Sequence, residues 1–294
     1  MPTAYEVVTE SIIKQLEAGV APWRKPWRTE MPANLVSKKE YRGINIFLLA
    51  FQGYGSRYWL TYRQAQSLEG TVSKGQHGSK VVFWKFDEYR KENPETGETE
   101  NRKTILLRYY TVFNLEQCEG IKSPEPLPAI HPIEQCESIV EQMPNRPKLE
   151  QDSRACYRPS TDTVGMPARS AFHSAEEYYS TFFHELTHST GHPSRVGREG
   201  IMAHNPFGSE DYSKEELVAE MGAAMLCGVA GIESRTLDNS ASYLQSWINR
   251  LRSDSRLIVS AASQAQKAAD YILSRTASET ESDTKGENER ETCN

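Results

Sequence analysis

Apolar side chains at Val8, Ile12, Ile13 and Leu16 recur at helical spacing within residues 5–18, and Gly19 supplies a stop, so the chain is predicted to open on an amphipathic helix. The stretch VAPWRKPWRTEMPAN (20–34) has neither helical nor strand periodicity and is punctuated by proline, which predicts irregular backbone. GINIFLLAF reads as a short buried helix, and YWLTYRQAQSLEG as a strand end running into a helix that Gly70 terminates. TVSKGQHGSKVVFWKFDEY and KTILLRYYTVFNL are β-rich runs on either side of the turn-rich ENPETGETENR, predicting a hairpin with an extended tip. Beyond the proline-rich KSPEPLPAIHP, IEQCESIVEQM is predicted as a helix and ACYRPSTDTVGMP as one or two strands. A long helix should start at Ser174, whose Ser-x-x-Glu box reaches Glu177, and end near Gly191. SKEELVAEMGAAMLCGVAG opens on a second such box, Ser213 with Glu216, and two further helices fit 241–252 and 255–274. The pattern divides the chain into a small α+β domain at 1–121, a linker at 122–132, a mainly helical domain at 133–275 and a polar tail at 276–294.

Length and composition set bounds. At 294 residues the chain has room for two ordinary domains, each with its own core. It holds no run of 18 apolar residues, so no membrane partner is expected. The start, MPTAYEVVTESIIKQLEAG, lacks the basic and apolar regions of a signal peptide, which predicts a cytoplasmic protein. Cysteines 118, 136, 156, 227 and 293 are odd in number and form no CxxC pair, in keeping with reduced thiols. The net charge of −6 conceals an asymmetry. Residues 1–85 carry 12 basic and 6 acidic side chains, whereas the remainder carries 22 and 34. A basic front predicts contact with a polyanion.

Three of the seven histidines fall in FFHELTHSTGH, Phe182 to His192. His184-Glu185-Leu186-Thr187-His188 is HExxH, and on a helix residues four apart share a face. Both imidazoles can then reach one divalent cation, most simply Zn2+ with Mn2+ or another divalent ion as substitutes. Glu185 would act as general base on a water that the cation acidifies. His192 is too far for a third ligand, since a continued helix would place it about 12 Å along the axis from His184. The longer metzincin pattern also fails, because Ser194 stands where its third histidine belongs. The following helix offers Glu216 and Glu220. Glu216 is accounted for as the partner of Ser213 in a capping box, whereas Glu220 falls among Leu217, Met221 and Ala224 on an apolar face. A lone carboxylate there is costly unless a cation is near, so Glu220 is the preferred third ligand, a gluzincin-type arrangement. Tyr178, Tyr212 and Tyr243 are open choices for a transition-state donor.

The front carries 17 of the 28 aromatic side chains within residues 1–113, many of them beside Lys or Arg. Stacking platforms interleaved with cations suit single-stranded nucleic acid. Phe47, Phe51, Phe83 and Phe113 are assigned to the core. Trp23, Arg24, Lys25, Trp27 and Arg28 lie in the irregular stretch and are the first candidates for DNA contact. Lys38, Lys39, Tyr41, Arg42 and Asn45 are the second patch. No zinc finger or helix-turn-helix pattern supports duplex reading.

The runs IIKQLEAGVAPWRKPW, YRGIN, WLTYRQA and TVFNLEQCEGI together resemble the N-terminal domain of the ArdC antirestriction family. EEYYSTFFHELTHSTGH, YSKEELVAEMGAAML and YLQSWINRL resemble that family's zincin-like metallopeptidase domain, and the resemblance covers about residues 4–274. It implies a bacterial, plasmid-encoded protein that binds single-stranded DNA and shields conjugating DNA from host restriction. It also implies His184, His188 and Glu220 as metal ligands and Glu185 as general base, but gives no answer on whether a defined protein is cut; a protein substrate or a restriction enzyme is a further candidate partner. The competing function is a single-stranded DNA shield whose metal is purely structural.

Overall fold

A computed structural model of the chain describes residues 2–24, 31–92, 99–125, 131–198, 210–233 and 241–275. The first helix, α1 (Ala4–Glu17), is closed at its start by a reciprocal box: the Thr3 hydroxyl accepts from the Glu6 amide while the Glu6 carboxylate accepts from the Thr3 amide. Its stripe of Val8, Ile12, Ile13 and Leu16 is buried, and Gly19 takes the left-handed conformation just past its end, φ 85°.

The front sheet runs in the order β1-β2-β5-β4, with β1 (Ala33–Asn34) parallel to β2 (Tyr58–Leu60). β4 (Ser79–Glu92) and β5 (Thr99–Asn114) form the long antiparallel hairpin, paired from Ser79↔Val112 to Glu92↔Thr99. Its expected tip falls largely outside the described residues. α2 (Ile44–Ala50) is pinned to β4 by Asn45, whose amide donates to the Val82 carbonyl and accepts from the Val82 N–H at 2.7 and 2.8 Å. α3 (Tyr62–Ser67) starts on a Thr61–Gln64 box. A two-stranded ribbon joins β3 (Thr71–Val72) to β6 (Cys118–Glu119).

The rear half opens with α4 (Pro132–Gln142) and a three-stranded sheet, β7 (Lys148–Gln151), β9 (Thr163–Met166) and β8 (Cys156–Arg158), in the order β7-β9-β8. Four helices follow: α5 (Ala175–Ser189), α6 (Glu210–Ala230), α7 (Ala241–Ser253) and α8 (Leu257–Ile272). The architecture is α+β, with a mixed front and a mainly helical rear. No described helix is long and apolar enough to cross a membrane. The polar tail at 276–294 and residues 126–130 of the proline-rich linker lie outside the described residues.

Two expectations are corrected here. The halves do not keep separate cores: the largest buried cluster joins α1, α2 and Trp23 to α4 through α8, while two smaller clusters serve the front sheet. The stripe of α1 finds its cover on α7 and α8, and Thr9 Oγ1 donates to the Ser255 carbonyl between them at 2.7 Å. The second correction concerns α6, which begins at Glu210, so Ser213 and Glu216 lie inside the helix rather than at its cap.

Candidate metal centre

α5 begins at Ser174, whose hydroxyl accepts from the Glu177 amide; the Glu177 carboxylate reaches back one residue further than a closed box would, to the His173 N–H. Phe182, Phe183 and Leu186 bury the helix against the core. This leaves His184 and His188 one turn apart on the facing side. Their rings meet edge to face, 4.7 Å between centroids, and their Nε2 atoms are 3.1 Å apart.

The carboxylate that completes the set is Glu216. Its oxygens lie 3.5 Å from His184 Nε2 and 3.6 Å from His188 Nε2. One ligand atom from each of the three residues falls within 4.8 Å of the others, which among the described residues defines one potential cation site. The donor set fits a cation. Ligands about 2.05 Å from a tetrahedral centre stand about 3.3 Å from one another, and the observed separations bracket that value.

Glu220, expected as the third ligand, is committed elsewhere. Its Oε2 accepts from Trp23 Nε1 at 2.7 Å and from the Tyr243 hydroxyl. The premise that a carboxylate on the apolar face of this helix needs a cation is therefore met by an indole and a phenol instead. Glu216 and Glu220 share a face of α6 but differ by about 6 Å along its axis, so helix register decides which one is level with the histidines. Reading Glu216 as a capping residue set the helix start too late. The acidic pair Glu210 and Asp211, suited to a first helical turn, was the signal that could have moved it.

Behind the histidines is a second layer absent from the sequence reading. His188 Nδ1 faces Glu215 Oε1 at 3.3 Å. The buried Arg198 grips the same carboxylate with Nε to Oε2 at 2.9 Å and Nη2 to Oε1 at 2.5 Å. Arg198 also donates to Thr190 Oγ1 and to the Thr187 carbonyl, so it closes the C-terminal turn of α5 as a cation at the negative end of a helix. Burial alone would raise the Glu215 carboxyl, but hydrogen bonds from Arg198 and His188 hold it below the usual range. Burial would likewise lower His188, yet the hydrogen bond to Glu215 and the charges of Glu216, Glu185 and Glu215 push it up to about 9. A pocket that draws a proton this firmly is built to hold positive charge. A cation that displaces the Nε2 proton would find the ring already oriented, because Nδ1–H stays turned toward Glu215.

Gly222 lets the two helices close. A Cβ there would stand 2.5 Å from Thr187 Cγ2 and 2.8 Å from Thr187 Oγ1, and Thr187 is locked by a bond to the Phe183 carbonyl. Gly222→Ala should force α5 and α6 apart, costing about 1–3 kcal/mol and weakening metal uptake by drawing Glu216 off the histidines. Urea unfolding with and without EDTA checks both effects.

Glu185, the expected base, is buried on the same helix. Among the tyrosines, Tyr243 donates to Glu220, while Tyr178 is packed among Phe172, Tyr179 and Phe182 beneath Arg169. The side chain of Tyr212 lies outside the described residues.

The expected DNA contacts fare unevenly. Trp23 is fully buried, edge to face with Trp247, and is no stacking platform; its indole N–H is consumed by Glu220 and Tyr243. Tyr41 is buried beside Phe83, and Asn45 is the pin between α2 and β4. Arg42 is paired with Asp270 of α8. Lys38 is exposed, its ammonium 5.0 Å above the Tyr58 ring, and Lys39 is partly exposed. Lys25, Trp27, Arg28 and the side chain of Arg24 lie outside the described residues.

Residues 2–113 match the family described as the N-terminal domain of the anti-restriction factor ArdC, and residues 134–264 match the zincin-like metallopeptidase family. The crystal structure of the metal-free antirestriction protein ArdC from plasmid R388 superposes with a TM-score of 0.74 at 40% identity, covering 94% of this chain and 98% of that one. The chain belongs to the ArdC antirestriction family. A Mn(II)-bound structure of R388 ArdC matches equally, with a TM-score of 0.73 at 39% identity. The protein y4eC of Sinorhizobium fredii is 37% identical over 91% of both chains. DNA primase TraC of Escherichia coli is 38% identical over 92% of this chain, which spans only 27% of that protein's length. A second Escherichia coli TraC matches at 37%, with the chain spanning 20% of it.

Proposed function

We propose that this ArdC-family protein binds single-stranded DNA and carries a zinc-type peptidase centre, protecting plasmid DNA that enters a bacterial cytoplasm from host restriction. The observation that carries the catalytic half is the convergence of His184, His188 and Glu216, with Glu185 buried on the same helix and Glu215 fixing the orientation of His188. Two imidazoles and a carboxylate suit Zn2+, and R388 ArdC holds Mn(II), so either ion would be held by these three residues.

Once bound, the ion would supply Lewis acidity to a peptide carbonyl and lower the pKa of a water. The protein's own groups do the rest. Glu185 takes a proton from the attacking water and returns it to the departing amine. Glu215, held by Arg198, keeps the His188 Nδ1 proton in place. Among the described residues β8 is an edge strand packed beside α5, and that edge would let a peptide align by strand addition.

The discriminating variant is Glu185→Gln. It should retain metal and single-strand binding while peptide cleavage falls at least about 100-fold, the scale of a lost general base. Candidate proteins incubated with and without single-stranded DNA, followed by mass spectrometry of the fragments, give the readout. A Glu185→Gln variant that cleaves as well as wild type would refute the catalytic role. One that protects DNA undiminished would shift the reading to a shield with a structural metal.

A further inference from the structure

Two hollows, of about 740 and 400 Å3, lie on either side of Trp84 and share Trp84, Val259, Ser263 and Lys267 as walls, so they form one continuous groove. One wall comes from the front hairpin and the other from α8, so neither half of the chain encloses it alone. At one end the groove reaches Lys39; at the other it reaches Lys214 and the Arg198–Glu215 clamp behind His188.

Its chemistry is consistent along its length. Trp84 is 37% exposed although it sits in a wall, and it is braced edge to face by Tyr5, with ring centroids 6.2 Å apart. The Arg256 guanidinium covers the other ring of that pair, 5.5 Å from the Tyr5 centroid. Arg256, Ser260, Ser263 and Lys267 fall on one stripe of α8, and Arg256, Ser263 and Lys267 are exposed. The stripe is about 16 Å long, with short hydroxyls between its two cations. Arg42–Asp270 and Arg198–Glu215 neutralise each other. Lys214, Arg256 and Lys267 also line the groove, and Glu40 in its wall is paired with Arg57.

We propose that this groove is the path of the single-stranded DNA, with a base stacked on Trp84 and phosphates following Lys267, Arg256 and Lys214. A braced, half-exposed indole between spaced cations is the arrangement that single strands use, because every base has a face to stack and every link a charge to neutralise. The bound strand would then lie against both halves of the chain, its end beside the Arg198–Glu215 pair that orients His188. This rests on the reading of the family member as a single-strand binder.

The test uses the full chain and a fluorescent oligo-dT read by anisotropy at two salt concentrations. The double variant Arg256→Glu/Lys267→Glu should bind at least about tenfold more weakly and lose roughly two phosphate contacts from the salt slope. Trp84→Ala should weaken binding roughly 5- to 100-fold, with Trp84→Phe recovering most of it. The same charge change made outside the groove, Lys122→Glu/Lys148→Glu on exposed positions, should cost much less, and thermal melting identifies any variant that misfolds. If wild type binds and the groove variants bind equally well, or no worse than the outside control, the path is elsewhere and the groove proposal fails by itself. If wild type does not bind at all, the single-strand reading fails with it.

Discussion

Glu216→Ala should abolish metal retention, with affinity lost by more than the 10- to 100-fold typical of removing an outer partner, whereas Glu220→Gln should leave bound metal near wild type. The contrast follows from where the two carboxylates end. Glu216 faces both Nε2 atoms at 3.5 and 3.6 Å, while Glu220 is bonded to Trp23 and Tyr243. Emission spectrometry of protein dialysed against Zn2+ or Mn2+, then gel-filtered, reads the stoichiometry directly. Glu220→Gln would register in stability instead, because a buried carboxylate that accepts two hydrogen bonds is exchanged for an amide that must present the correct end to both donors. Metal lost from Glu220→Gln and kept by Glu216→Ala would reverse the assignment.

The second large effect belongs to Trp23. Trp23→Ala should destabilise the protein by about 3–5 kcal/mol, as expected for emptying a fully buried indole site, and should leave the affinity for single-stranded DNA of the folded protein unchanged. The indole fills the junction of α6, α7 and the N-terminal segment, and it donates to Glu220. Trp23→Phe separates the two contributions: most of the volume stays, but Glu220 loses a donor, at a cost of about 1–3 kcal/mol. Urea unfolding paired with anisotropy of a labelled oligonucleotide measures both quantities. A Trp23→Ala protein of undiminished stability that has lost DNA binding would return the side chain to the surface.

The contrast between Trp23 and the helices shows what was readable in the chain. The stripe of α1 and its stop at Gly19, the capped start of α5 at Ser174 and the strand-to-helix step at Leu60–Tyr62 were legible because local spacing and capping chemistry dictate them. HExxH was legible for the same reason, since five consecutive residues on one helix fix their own geometry. Everything requiring two distant segments was not. Trp23 looked like an exposed platform because its neighbours lack periodicity, yet its partner Glu220 lies 197 residues away. Asn45 looked like a DNA contact, but its amide answers both backbone groups of Val82. Strand β7 was missed because Lys148–Gln151 is exposed at all four positions and shows no alternation.

The third carboxylate failed on one turn of helix. Glu216 and Glu220 are equivalent in pattern, and a Ser-x-x-Glu box at Ser213 set the expected start of α6 too late. Arg198 and Glu215 carry no motif, since an Arg–Glu pair 17 residues apart gains meaning only when both meet His188. The same long-range assembly explains why one core, rather than two, unites the halves.

The most direct measurement is anomalous diffraction at the metal edge from crystals of the full chain grown with Zn2+ or Mn2+. A single strong peak about 2.0–2.2 Å from His184 Nε2, His188 Nε2 and a Glu216 oxygen, with Glu220 still bonded to Trp23, is the predicted result. A peak ligated by Glu220, or no peak between the two imidazoles at saturating metal, would contradict it.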